Sequence, residues 1–88
     1  MKYHLPDYVK IRELDGEAVL LNLDSEKYFG LDEVGTSMIN ALTSGQTVAE
    51  AYASLLEQYD VDPDTLKSDL DQLIAKLLAK GLIQASQP

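Results

Sequence analysis

At residues 27–35, Lys-Tyr-Phe-Gly-Leu-Asp-Glu-Val-Gly, the spacing of apolar residues changes character. Before this stretch they alternate, as in half-buried strands; after it they recur every three or four positions, as on helices. A chain with one such break is an α+β chain, strands first and helices after. Tyr28, Phe29 and Leu31 suit a strand, and the Asp32 carboxylate can accept the free N–H groups of a following helix. If Lys27–Leu31 is the last strand of a small sheet, one of its edges has no partner within the chain. Such an edge is a hazard unless it is covered or used, and the expectation here is that it is used.

Size and charge narrow the classes. The chain has 88 residues, enough for one domain and a modest core. It has no Cys, hence no disulfide and no thiolate metal site, which fits a cytoplasmic location. The start carries no apolar run of the kind a signal peptide needs, and no apolar run is long enough to span a bilayer. Seven Lys plus Arg against fifteen Asp plus Glu give a net charge of −8. That excess repels nucleic-acid phosphates and anionic lipid, and it permits protein or peptide partners.

Residues 1–7 read as a short lead-in. Val9 and Ile11 alternate with Lys10 and Arg12, and Asp15-Gly16 signals a hairpin. A three-residue loop, Leu14-Asp15-Gly16, is preferred over a two-residue turn because it sets Ile11 opposite Val19 and Val9 opposite Leu21, giving an unmixed apolar face. Val19, Leu21 and Leu23 then point inward, with Tyr28 opposite Leu23. Leu20 and Phe29 fall on the outer face, as an exposed apolar pair suited to a protein contact.

Three helices follow. The first covers about residues 33–43, with Val34, Met38, Ile39 and Leu42 on one stripe. The second opens on Thr47-Val48-Ala49-Glu50, a capping box, and buries Ala51, Tyr52, Leu55, Leu56 and Tyr59. The third is capped by Asp62, has Pro63 at its first position and ends at Gly81. Its stripe is Leu66, Leu70, Leu73, Ile74, Leu77 and Leu78; Leu82 and Ile83 fold back on it, and residues 84–88 form a tail.

No constellation speaks for catalysis. His4 is the only imidazole and has no carboxylate or nucleophile at a motif spacing. Asp60, Asp62 and Asp64 lack the Gly and closing Glu of a calcium loop. No glycine run cradles phosphate, so neither metal nor cofactor is expected. Asp24-Ser25 resembles the modified pair of acyl carrier proteins, but Glu26-Lys27 follow and strands precede, and a turn explains Ser25 better. Strands followed by helices also fit a winged helix-turn-helix regulator, yet the third helix opens on Asp62, Asp64, Asp69 and Asp71 against Lys67, the wrong sign for DNA.

Val19-Leu20-Leu21, the 27–35 stretch, Met38-Ile39, Gly45-Gln46-Thr47, residues 55–59, Asp69-Leu70 and the closing Lys80-Gly81-Leu82-Ile83 together resemble the PqqD-like family, over about residues 9–83. The Tyr-Phe-Gly-Leu strand looks most like the small stand-alone leader-binding member of lasso-peptide gene clusters. The resemblance implies a single RiPP recognition element, winged helix-turn-helix-like, with a three-stranded antiparallel sheet followed by three helices. It implies a non-catalytic protein that binds the leader of a ribosomally made precursor peptide by β-augmentation and presents it to a separate processing enzyme, a leader peptidase. An alternative is a peptide chaperone for a radical-SAM or other modifying enzyme. Carried onto this chain, the implied peptide site is Lys27, Tyr28, Phe29, Gly30 and Leu31 with Leu66, Asp69, Leu70, Leu73 and Ile74. The expected peptide runs antiparallel to Lys27–Leu31, over a floor of Leu66, Leu70 and Leu73 with Ile74 deeper, and with Tyr28 at the inner wall. No nucleic acid or membrane partner is implied.

Overall fold

The computed structural model describes residues 1–86. Strands β1 (Lys2–His4), β2 (Val9–Leu14), β3 (Glu17–Asn22) and β4 (Lys27–Leu31) precede helices α1 (Glu33–Leu42), α2 (Val48–Gln58) and α3 (Pro63–Ala79), and β5 (Gln84–Ser86) closes the order. The main sheet is antiparallel, in the order β2-β3-β4. The α+β, three-strand-then-three-helix architecture expected from the sequence is therefore present. Part of the lead-in is itself a strand: β1 pairs antiparallel with β5, Tyr3 opposite Ala85. Residues 84–86 of the expected tail are thus a strand; residues 87–88 lie outside the described residues.

The hairpin takes the two-residue turn, not the three-residue loop. Leu14 pairs with Glu17, and Asp15 and Gly16 between them have φ of 55° and 83°. Positive φ at both central positions is the mirror-image turn whose twist matches the flanking strands, and Gly16 adopts it without strain. The consequence is a register one residue away from the expected one: Ile11 faces Leu20, and Arg12 faces Val19. A one-residue slip turns a strand over, so the sides exchange. Leu20 is fully buried at 0% exposure, while Val19 is 43% and Tyr28 76% exposed. Phe29, opposite Leu20, is half-buried against the core. The expected outer pair Leu20–Phe29 is therefore an inner pair, and Val19, Leu21 and Tyr28 occupy the outer face.

Asn22 explains why the polar-looking side is the inner one. It is buried, and its Oδ1 accepts the N–H groups of Asp24 (3.0 Å) and Ser25 (3.1 Å), so it closes the β3–β4 turn from within. A satisfied amide costs little to bury, and Asn22 then shares the inner face with Ala18 and Leu20. On the outer face Lys10 and Arg12 keep their charges in water beside Leu21 and Val19, an arrangement that exposed sheets tolerate.

The helices begin where the caps require. Asp32 accepts the Gly35 N–H at 2.7 Å; Thr47 and Glu50 exchange bonds of 3.1 and 2.8 Å; Asp62 accepts the Thr65 N–H at 3.0 Å. Met38, Ile39, Leu42, Ala51, Leu55, Leu66, Leu70, Ile74 and Leu77 join the sheet's inner residues in one core, which Leu82 and Ile83 complete. Val34 and Leu78, assigned to the apolar stripes, are largely exposed. The packing order is α1 on β3 and β4, α2 on α1, and α3 on α2. Between α3 and β4 the surface stays open.

Candidate functional site

That opening holds two neighbouring hollows, taken together as a groove. The first, about 620 Å³, is walled by Phe29, Gly30, Leu31 and Asp32, by Val34, Gly35 and Met38 of α1, and by Asp69, Gln72, Leu73 and Lys76 of α3. The second, about 600 Å³, lies between Asn22, Ser25, Glu26, Lys27 and Tyr28 on one side and Ala79, Lys80 and Leu82 on the other. The linings run β4 past α3 in opposite directions: Lys27 and Tyr28 share one half with Ala79 and Lys80, and Phe29, Gly30 and Leu31 share the other with Asp69, Gln72, Leu73 and Lys76.

Local chemistry fixes the walls. Gly35 permits α1 to start directly behind β4: a Cβ at this position would meet Leu31 side-chain atoms at 3.2 Å. Phe29 turns its ring toward the core and the far half of the groove, where the Lys80 ammonium lies 5.8 Å from the ring centroid, within cation–π reach. Gly30 is exposed, and a Cβ there would find nothing within 4 Å. A glycine in mid-strand with no internal reason for its smallness is a place where another backbone can approach.

The structure divides the expected site residues. Lys27, Tyr28, Phe29, Gly30, Leu31, Asp69 and Leu73 all line the groove. Tyr28 does so from the exposed outer side, not as an inner wall. Leu66 and Leu70 do not line it: they are core residues, and Leu70 faces Val48 and Tyr52 across the α2–α3 contact. Ile74 is buried beneath the helix and is not part of the lining either. The floor that Leu66 and Leu70 were expected to make is formed by Leu31, Met38 and Leu73. Sequence reasoning missed Met38, Gln72, Lys76, Ala79 and Lys80. A signal for the α3 members existed: positions 69, 72, 73, 76 and 80 form one helical row three or four apart, adjacent to the apolar stripe that drew attention instead.

What the groove can do follows from its edge. Main-sheet order leaves one side of β4 without a strand partner among the described residues, and β1 pairs with β5 instead. An edge strand offers alternating N–H and C=O groups, and here an apolar trough lies directly beside them. Extended peptides bind to such pairings of edge and trough. Among the described residues no group of three or more His, Asp or Glu is placed to hold a metal ion. Among the described residues no helix is long and apolar enough to cross a membrane.

A family model described as coenzyme PQQ synthesis protein D (PqqD) matches residues 17–83. Among solved structures, TbiB1 in complex with the TbiA(beta) leader peptide is 32% identical, with a TM-score of 0.86 over 97% of this chain and 99% of that one. Lasso peptide synthetase B1 complexed with the leader peptide is 21% identical, with a TM-score of 0.85 over 97% of this chain and 100% of the other, a likeness of fold. No curated protein matches the chain.

Proposed function

Since the chain belongs to the PqqD family, we propose that it is a RiPP recognition element: it binds the leader segment of a ribosomally made precursor peptide along the β4 edge and presents it to a separate maturation enzyme, a leader peptidase of lasso-peptide biosynthesis. The observation that carries this reading is the unpaired edge of Lys27–Leu31 beside the groove under α3. The 32% identical TbiB1, in complex with a leader peptide, supports it. The peptide adds antiparallel to β4, its backbone bonding to the edge and alternate side chains entering the trough over Leu31, Met38 and Leu73. An aromatic or branched apolar anchor there supplies about 1.5–3 kcal/mol when fully buried. The protein supplies no chemistry of its own in this reading; it raises the local concentration of the precursor at the enzyme.

The experiment is a titration of the isotope-labelled chain with the TbiA(beta) leader peptide, followed by amide chemical shifts. Shifts centred on Lys27–Leu31 and on residues 69–80 are expected. Shifts confined to β2 and α2, or no binding, would overturn the assignment.

A further inference from the structure

The charges along the groove are sorted by sign. The α3 row facing β4 begins at Asp69 and ends at Lys76 and Lys80, with Gln72, Leu73 and Ala79 between. Lys27 joins the cationic end from β4, opposed only by Glu26; Asp32 joins the acidic end. Asp32 is already committed, its Oδ1 accepting the Gly35 N–H at 2.7 Å, so Asp69 is the acid available to a ligand. Among the described residues the one ion pair is Lys67–Asp71, on another part of α3, so none of Asp69, Lys27, Lys76 and Lys80 is held in an ion pair. Unpaired charges of opposite sign at the two ends of one trough form a dipolar template.

Building on the leader-binding reading above, we propose that the groove selects peptides by the order of their charges: a basic residue toward the N-terminal end of the bound strand, beside Asp69, and an acidic residue toward its C-terminal end, beside Lys76, Lys80 and Lys27. Direction follows from topology. A strand antiparallel to β4 enters beside Leu31, the Asp69 end, and leaves beside Lys27, the Lys80 end. Spacing follows from geometry. From Asp69 to Lys80 the helix rises about 16 Å, and a strand covers that in about five residues. Only alternate residues face α3, so base and acid stand an even number of positions apart, about four or six. Odd spacing turns one of them to the outer face.

Net charge has to be separated from order, because a molecule of −8 attracts any cationic peptide. The probes are therefore two versions of the TbiA(beta) leader peptide with identical composition. One carries two Lys ahead of its strand segment and two Glu after it, at even spacing; the other has the pairs exchanged. Each exposed ion pair changes affinity by a factor of about 1.5 to 5. The Lys-first version is expected to bind about tenfold tighter by fluorescence anisotropy in about 50 mM salt, and the ratio should collapse toward one at about 1 M. The double variant Asp69→Lys with Lys76→Glu, both exposed positions, should erase most of the preference, since Lys27 and Lys80 still oppose a full inversion. Equal affinity of the two versions at low salt, or a preference that the double variant leaves in place, overturns the charge-order proposal and leaves leader binding standing. If neither version binds, the leader reading itself falls and takes this one with it.

Discussion

Leu20 and Val19 are neighbours in sequence on opposite faces of the sheet, so truncating each in turn tests which face is the core. Leu20 is fully buried, between Ile11 on β2 and Phe29 on β4. Leu20→Ala removes buried methyl groups and leaves a cavity that rigid strands on both sides cannot close, at a cost of about 3–5 kcal/mol. Val19 is 43% exposed on the outer face. Val19→Ala loses partial burial and some strand propensity, about 0.5–1 kcal/mol. For a domain of this size each kcal/mol shifts the melting temperature by about 4–8 °C. Leu20→Ala should therefore melt at least about 10 °C lower than Val19→Ala when both are followed by circular dichroism. A Val19→Ala penalty equal to or larger than that of Leu20→Ala would refute the two-residue turn and the buried face derived from it.

Phe29→Ser should lower the melting temperature clearly as well, since the ring is packed against the core and under Lys80; an unchanged midpoint would place Phe29 outside. Leu73→Asp, on a half-buried groove residue, should weaken leader binding by at least tenfold while circular dichroism stays native; undiminished binding would move the site away from α3. The Glu50 carboxyl lies below its usual 4.5 because it accepts the Thr47 backbone N–H, so the stability it contributes is present above about 4.5 and is lost as pH falls through the lowered folded value. The melting-temperature gap between the wild type and Glu50→Ala should accordingly shrink on acidification from pH 6 to about 3, and a gap that widens would contradict the capping-box assignment. Duplex DNA should show no retardation at low salt; binding that weakens steeply with added salt would revive a DNA-reading role.

Local signals were legible where one residue's chemistry decides the structure. Asp32, Thr47 with Glu50, and Asp62 with Pro63 each start a helix by satisfying free amides, and each could be read without knowing the fold. The β-hairpin could not be read that way. Two registers one residue apart compete, and an unmixed apolar face looked like the stronger criterion. Two facts decide it: Asn22 is satisfied by the N–H groups of its own turn, which lets it be buried, and the outer face is open enough to hold Arg12 beside Val19, which depends on the rest of the fold. The terminal strands carry no pattern at all in three residues each, because their partner is at the other end of the chain. Of the site, the open edge was legible from strand order, whereas its far wall was legible only at Asp69 and Leu73. An apolar stripe marks the buried side of a helix, so Leu66, Leu70 and Ile74 pointed to the core, and the groove is lined by the mixed row next to it.

The main sheet has two edge strands, and what flanks each edge bears on which of them a peptide would use. β2, at the other edge, contributes no residue to either half of the groove. β4 is flanked by the trough under α3, so an arriving strand gains side-chain burial as well as backbone bonds. The same edge is open in principle to a second copy of this chain. Against that stands the net charge of −8, which every copy carries and which opposes the approach of two of them at low salt. A second β4 strand brings no free anchor for the trough: paired antiparallel across the edge, its inner face offers Lys27 with Phe29 and Leu31, both already engaged by their own core, while Tyr28 and Gly30 fall on the outer face. Self-pairing therefore gains backbone bonds at the cost of charge repulsion and without trough burial. A peptide with an apolar anchor gains both, which is how an edge can stay open to one kind of strand and closed to its own.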